Sequence, residues 1–214
     1  MLIVSYIVIV AAAYLLGSVP TGYLLGKACG LDIRKVGSGN MGATNVFRVL
    51  GKGPGIVVLV VDGLKGYAAC IWLVDLLLRW LSVPVEQIET IRIVAGIGAV
   101  LGHNYTCWLV FRGGKGVATS AGVYAALEPV PACIAIGTWV VLFALTRYVS
   151  VASIIAAAAL PVAVWVMSDS LLLKIVTTVL GLLVIVKHRG NIQRLINGTE
   201  NRFGNKPAAE EGTK

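Results

Sequence analysis

Charge is what this 214-residue chain has least of. Only 13% of its residues are Asp, Glu, Lys or Arg, about half the share of a typical soluble domain. With 57% hydrophobic residues and a mean hydropathy of +0.87, this excludes a disordered chain and argues against a water-soluble globule. An integral membrane protein is expected. At about 20 residues per crossing, no room remains for a large extramembrane domain. Cysteine is scarce as well. Cys29, Cys70, Cys107 and Cys133 form no C-x-x-C pair, which argues against a zinc site. The three in apolar stretches, Cys70, Cys107 and Cys133, are expected to be buried packing residues. The first 16 residues contain no Lys or Arg, so the basic region of a signal peptide is missing. H-E-x-x-H, G-x-S-x-G and the dinucleotide fingerprint are also absent. No metal or cofactor is expected. Despite a net charge of +8, no basic domain stands apart from the apolar segments, so no nucleic-acid partner is expected.

What is present is a set of apolar runs. Seven can be drawn, over 3–25, 55–78, 91–111, 117–127, 132–146, 149–167 and 171–187. They predict an all-α, seven-helix transmembrane bundle. The fourth run is too short to cross a 30 Å core at about 1.5 Å per residue. Glu128-Pro129-Val130-Pro131 ends it abruptly, so it is expected as a half-length helix shielded by its neighbours. With the N-terminus outside and the C-terminus cytoplasmic, every basic residue except Lys65, Arg79, Arg92 and Lys174 falls on the cytoplasmic side, as the positive-inside bias requires. Ala11–Ala13 and Ala156–Ala159 read as close-packing surfaces. Pro20 and Pro161 are expected to kink their helices. Residues 1–204 are expected to form one polytopic domain. A short interfacial helix is expected at 191–196, followed by a disordered polar tail over 205–214.

Bundle packing does not account for three polar motifs. In the first, Val36-Gly37-Ser38-Gly39-Asn40-Met41-Gly42-Ala43-Thr44-Asn45-Val46-Phe47-Arg48, glycines can turn backbone amides toward one point. Ser38, Thr44 and Asn45 add short polar groups, and Arg48 adds a planar fork suited to phosphate. A flexible loop whose Arg48 only follows charge bias is the alternative. The second combines Gly102-His103-Asn104-Tyr105 with Arg112-Gly113-Gly114-Lys115-Gly116-Val117-Ala118-Thr119. Three glycines and a lysine at a helix start make a phosphate site, or else a tight turn. It is not a Walker loop, because Gly116 occupies the place of the required Ser or Thr. The third is Lys187-His188-Arg189-Gly190-Asn191-Ile192-Gln193-Arg194. Arg189 and Arg194 read as topology anchors, whereas His188 and Asn191 are harder to dismiss. His188 could bond an oxygen or relay a proton. Asp62 and Lys65 share one face of the second segment. They are either functional groups or a self-compensating ion pair. Acyltransferases that use thioesters often show a His followed five residues later by Asp. Here those positions hold Trp108 and Gln193, which disfavours that class.

The sequence resembles the bacterial acyl-phosphate-dependent glycerol-3-phosphate 1-O-acyltransferase (PlsY) family. The match runs in order through Gly17-Ser18-Val19-Pro20-Thr21-Gly22-Tyr23, the Ser38–Arg48 loop, Asp62-Gly63-Leu64-Lys65-Gly66, the Gly102–Thr119 segment, and His188-Arg189-Gly190-Asn191-Ile192 to Gly198-Thr199-Glu200. The resemblance implies a seven-helix bacterial inner-membrane enzyme with its site facing the cytoplasm. It would move an acyl group from acyl phosphate to the sn-1 hydroxyl of glycerol 3-phosphate, giving lysophosphatidate and phosphate. Its partners would be those two substrates and membrane lipids, and it would act as a monomer. In this reading Ser38, Arg48 and the amides of Gly37 to Asn40 hold one phosphate, with Thr44 and Asn45 as further donors. Lys115 and the amides of Gly113, Gly114 and Gly116 hold the other, which the resemblance assigns to glycerol 3-phosphate. His188 and Asn191 position the acceptor or the carbonyl. Lys65, His103 and Thr119 join the substrate-binding set. Glu200 reads as structural, pairing with Arg194 or Arg202. The proton goes to a substrate phosphate oxygen or to His188. A transporter of phosphorylated metabolites would place its polar groups near the midplane. A lipid-binding subunit would not need three dense polar motifs.

Overall fold

A computed structural model describes residues 1–204, and the tail expected over 205–214 lies outside the described residues. Among those described, the secondary structure is helical with no strand. The helices are α1 (Leu2–Ser18), α2 (Thr21–Ala28), α3 (Ala43–Leu50), α4 (Lys52–Cys70), α5 (Trp72–Leu77), α6 (Ile88–Asn104), α7 (Val117–Leu127), α8 (Pro129–Thr146), α9 (Val149–Met167), α10 (Leu171–Lys187) and α11 (Arg189–Ile196). Each predicted apolar run lies on one of these helices or on a broken pair, except that 91–111 continues past the end of α6 at Asn104. Four stretches are long and apolar enough to cross a membrane: Leu2–Ala28, Lys52–Leu77, Pro129–Thr146 and Val149–Met167. α10 and α11 pass the same test only when taken together, across a bend of 52°. At 17 and 11 residues, α6 and α7 are shorter.

Small residues set the closest contacts. A Cβ on Gly17 or Gly102 would collide with the backbone of the facing helix in the α1–α6 pair, and one on Gly66 or Gly122 would do so in the α4–α7 pair. These approaches hold helices together where burial of oil-like surface gives no driving force. The other main pairings are α8 with α9 and α9 with α10.

Several expectations are corrected. Pro20 breaks the first span outright, because it cannot donate to the helix ladder; Lys65 Nζ donates to the Val19 carbonyl at the break (2.9 Å), and Thr21 Oγ1 donates to Asp62 (3.0 Å). Pro161 sits inside an uninterrupted α9. Residues 43–50 form a helix that hydropathy alone does not reveal. Gly51, at φ 94°, ends it in a conformation that suits glycine. Of the cysteines expected to be buried, Cys70 is, Cys107 is partly exposed and Cys133 is exposed, facing outward from α8.

Candidate active site

Three helices begin at one cavity of about 600 Å³. Its head is lined by Ala43 and Thr44 of the first turn of α3, by Lys115 to Ala118 at the start of α7, and by His188 and Asn191 at the start of α11. The first amides of a helix have no partner within it and carry partial positive charge. Arg48 and Lys115 add full charges to the same space. Below this head the walls are apolar and come from α7, α8, α9 and α10. Ala156 and Ala157, read above as packing residues, line it. Their small side chains leave room that larger ones would fill.

The first motif is braced from within. Gly37 and Gly39 adopt left-handed conformations, at φ 61° and 69°, which glycine permits without strain. Asn45 is fully buried and is a brace more than a ligand. Its Oδ1 accepts from the Ser38 amide (2.8 Å), and its Nδ2 donates to the Ile33 and Val36 carbonyls (3.0 and 3.1 Å). The Gly39 amide is also committed, to Val36 O (3.1 Å). The expected nest of amides over Gly37 to Asn40 is therefore corrected: Ser38 and Gly39 spend theirs inside the loop, and Gly37 and Gly39 do not line the cavity. Ser38, Asn40, Thr44 and Arg48 do. Burial pushes the Arg48 guanidinium below its ordinary pKa, Glu200 opposes this, and Arg194 adds to it.

The second motif needs the same correction. The amides of Gly113 and Gly114 donate to Asn104 O and His103 O (3.2 and 3.0 Å), tying the loop to the end of α6. Neither glycine lines the cavity, whereas Lys115 and Gly116 do. A side chain on Gly114 would strike His103 Nε2, and one on Gly116 would strike the Asn104 amide. His103 lines the cavity from a buried position, with Nδ1 3.7 Å from Asp62 Oδ1. Lys65 does not line it: it pairs with Asp62 at 2.8 Å, both groups buried. Thr119 is fully buried and away from the cavity. Lys65, Thr119, Gly37, Gly39, Gly113 and Gly114, expected in the substrate-binding set, are thus not among the residues that line the cavity.

At the third motif Lys115 Nζ donates to Asn191 Oδ1. Asn191 Nδ2 donates to Glu200 Oε1 (2.7 Å), which also accepts from Ser150 of α9 (2.8 Å), while Arg194 pairs with Oε2 (2.7 Å). Glu200 therefore fixes Asn191, and Asn191 fixes Lys115. Burial would raise the Glu200 carboxyl, but its bonds from Asn191, Ser150 and Arg194 outweigh this and hold it below its usual range. Burial lowers Lys115 to about 8, a fall that Glu200 partly offsets and that Arg194 and Arg48 deepen. His188 Nδ1 lies 2.8 Å from the Val184 carbonyl, an acceptor, so the proton sits on Nδ1 and Nε2 keeps its lone pair. Burial and the nearby Lys115 lower His188 to about 4, so it is neutral at pH 7.

A family model described as Glycerol-3-phosphate acyltransferase matches residues 7–198. Glycerol-3-phosphate acyltransferases of Geobacter metallireducens and Geotalea daltonii are 51% and 47% identical to the chain, covering 92% and 93% of it and 97% and 98% of their own lengths. A crystal structure of PlsY (YgiH), an integral membrane glycerol 3-phosphate acyltransferase, in its glycerol 3-phosphate form superposes with a TM-score of 0.84 at 39% identity, covering 94% of this chain and 96% of that one. The lysophosphatidic acid form gives 0.81 at 38%, with the same coverage. The chain belongs to the glycerol-3-phosphate acyltransferase family. As a member of that family it is a multi-pass membrane protein. Residues of this acyltransferase-family chain that sequence reasoning missed are Tyr124, which lines the cavity, and Ser150, which lines it and anchors Glu200; Asp62, weighed from the sequence as a functional group or an ion-pair partner, lines the cavity and pairs with Lys65. Lone Ser and Tyr residues in apolar runs carry no signal for this. Asp62 did, as an ionisable group in a membrane helix.

Proposed function

We propose that this protein transfers a fatty acyl group from acyl phosphate to the sn-1 hydroxyl of glycerol 3-phosphate. The observation that carries the reading is one continuous space with a cationic, helix-capped head and an apolar body. The head suits phosphate, and the body suits an acyl tail. The relatives' glycerol 3-phosphate and lysophosphatidic acid forms support the acceptor and the product. Two separate groups of donors, around Ser38 and Arg48 and around Lys115 and Asn191, fit a donor and an acceptor that both carry phosphate.

The chemistry needs orientation and charge stabilisation. The sn-1 oxygen forms a bond to the acyl carbon, the bond from that carbon to the phosphate oxygen breaks, and phosphate leaves with the electron pair. His188 Nε2 accepts the hydroxyl's hydrogen bond and aims it. The proton passes to the oxygen of the departing phosphate, which becomes strongly basic as the bond to the acyl carbon breaks, so that hydrogen phosphate is released; a histidine near 4 is the weaker base. Lys115, Arg48 and the first amides of α3, α7 and α11 stabilise the growing anionic charge. We place seven crossings across the bundle, with the N-terminus outside and this head at the cytoplasmic face of a bacterial inner membrane, where the basic residues gather. Each chain carries a whole site and works as a monomer.

The test uses purified protein in detergent with palmitoyl phosphate and glycerol 3-phosphate. Equal amounts of 1-acyl-glycerol 3-phosphate and inorganic phosphate are expected. Turnover with an acyl thioester but none with acyl phosphate would sink the donor assignment.

A further inference from the structure

We infer that the blind end of the cavity is an acyl-chain ruler, with Ala132 of α8 and Leu160 of α9 as its stop. This rests on the reading that the cavity holds the acyl tail. Both residues line the cavity and are buried, as are Tyr124 and Leu180 beside them. All four also belong to a packed apolar cluster whose further members, Ile93, Val164 and Leu173, do not line the cavity. The space is therefore closed toward the far end of the bundle by close-packed side chains.

The depth follows from helix geometry. The polar layer is marked by Ser150, bonded to Glu200, and by His188. At about 1.5 Å per residue, Leu160 lies about 15 Å below Ser150 along α9, and Leu180 about 12 Å below His188 along α10. An extended saturated chain of about 1.5 Å bonds rises about 1.25 Å per carbon. The stop is thus met after about ten to twelve carbons. Carbons beyond it must turn aside. Leu59 of α4 and Ile136 and Val140 of α8 line the cavity and are also exposed on the outer surface, which gives the excess a route into lipid. All of these carbons come from lipid, so a methylene inside the cavity gains only the closer packing of a protein interior, and each one beyond the stop gains nothing, since it leaves lipid only to re-enter it.

The experiment is a competition among acyl phosphates of eight to sixteen carbons in one micelle, read as the ratio of lysophosphatidates by mass spectrometry. Relative kcat/KM should rise to about twelve carbons and then flatten. Ala132→Phe should bring the break about three carbons shorter, lowering dodecanoyl relative to octanoyl. Leu160→Ala should move the break the opposite way, which loss of folding cannot imitate. A break that stays put in both variants overturns the ruler. Ala156→Phe, placed midway down the wall at about 9 Å, tests the underlying reading separately. It should bring the break to about seven carbons, and an unchanged dependence on chain length would mean that the acyl tail lies elsewhere.

Discussion

Raising the pH from 7 to 9 should weaken glycerol 3-phosphate binding about tenfold through Lys115 alone. In the empty site burial lowers this lysine to about 8. A phosphate dianion beside it favours the charged form, so the protonated lysine is the one that binds. Affinity is therefore full below about 8 and falls about tenfold per pH unit above it. On the acid side the ligand loses its second charge near its own pKa of about 6, leaving a plateau between the two. Titration calorimetry across this range reads the affinity. Repeating it in buffers of different ionisation enthalpy counts the protons taken up, which should rise from near none at pH 7 to nearly one at pH 9. Lys115→Arg keeps its charge throughout and should abolish the alkaline fall. Lys115→Met should abolish it too, and lose about 1.5–3 kcal/mol of charge-assisted bonding at every pH. A flat affinity from pH 7 to 9 in the native protein, or an alkaline fall that survives in Lys115→Arg, would refute the assignment.

Gly114→Ala should abolish glycerol 3-phosphate binding because its methyl group meets His103 Nε2, and adding His103→Ala should restore part of it; Gly113→Ala, which meets backbone, should not be rescued that way, and binding by both pairs is read by calorimetry. Lys65→Met leaves buried Asp62 without its counter-ion, with only the Thr21 hydroxyl still donating to it, and removes a donor from the Val19 carbonyl, so about 3–5 kcal/mol of stability should be lost while the KM of the surviving enzyme stays the same. Adding Asp62→Asn should recover much of the melting temperature. Glu200→Gln weakens the support of Asn191 and, through it, Lys115. Activity should fall at least tenfold, roughly, and the alkaline limb of binding should shift with the pKa of Lys115.

The three polar motifs were legible because glycine, short polar residues and isolated cations have no reason to cluster in so apolar a chain. Five residues singled out from them, Ser38, Arg48, Lys115, His188 and Asn191, meet at one cavity. The division of labour inside each motif was not legible. Whether a backbone amide faces a ligand or its own loop depends on contacts such as Asn45 to Ser38, which span seven positions and have no periodicity. Helix α3 left a trace that hydropathy does not weigh: glycines at 42 and 51 bracket eight residues, a start and a stop by capping chemistry. The cavity itself was hidden, since alanine that packs against a neighbour and alanine that borders a void are the same letter. Only the arrangement of α8 against α9 separates Ala156 from an ordinary contact.

On the proposed reading, the short helices account for how so little soluble chain can build a phosphate site. A binding loop in a soluble enzyme draws on a whole domain for rigidity; here α3 and α11 are 8 residues each and α7 is 11. Each begins at the cavity, and a helix start carries partial positive charge, up to about half a unit for a full helix. Packing fixes the three starts: Asn45 holds the loop before α3, the carbonyls of His103 and Asn104 hold the loop before α7, and Glu200 holds the first turn of α11 to α9. These braces are hydrogen bonds to buried groups, so they hold without large side chains that would fill the cavity. On the proposed reading, apolar walls on one side reduce screening at the head, and the helix starts with Arg48 and Lys115 favour an anion there while the acyl tail lies in the body below. A chain with few ionisable residues can in this way concentrate charge where a phosphate enters and leave the rest of its length to lipid.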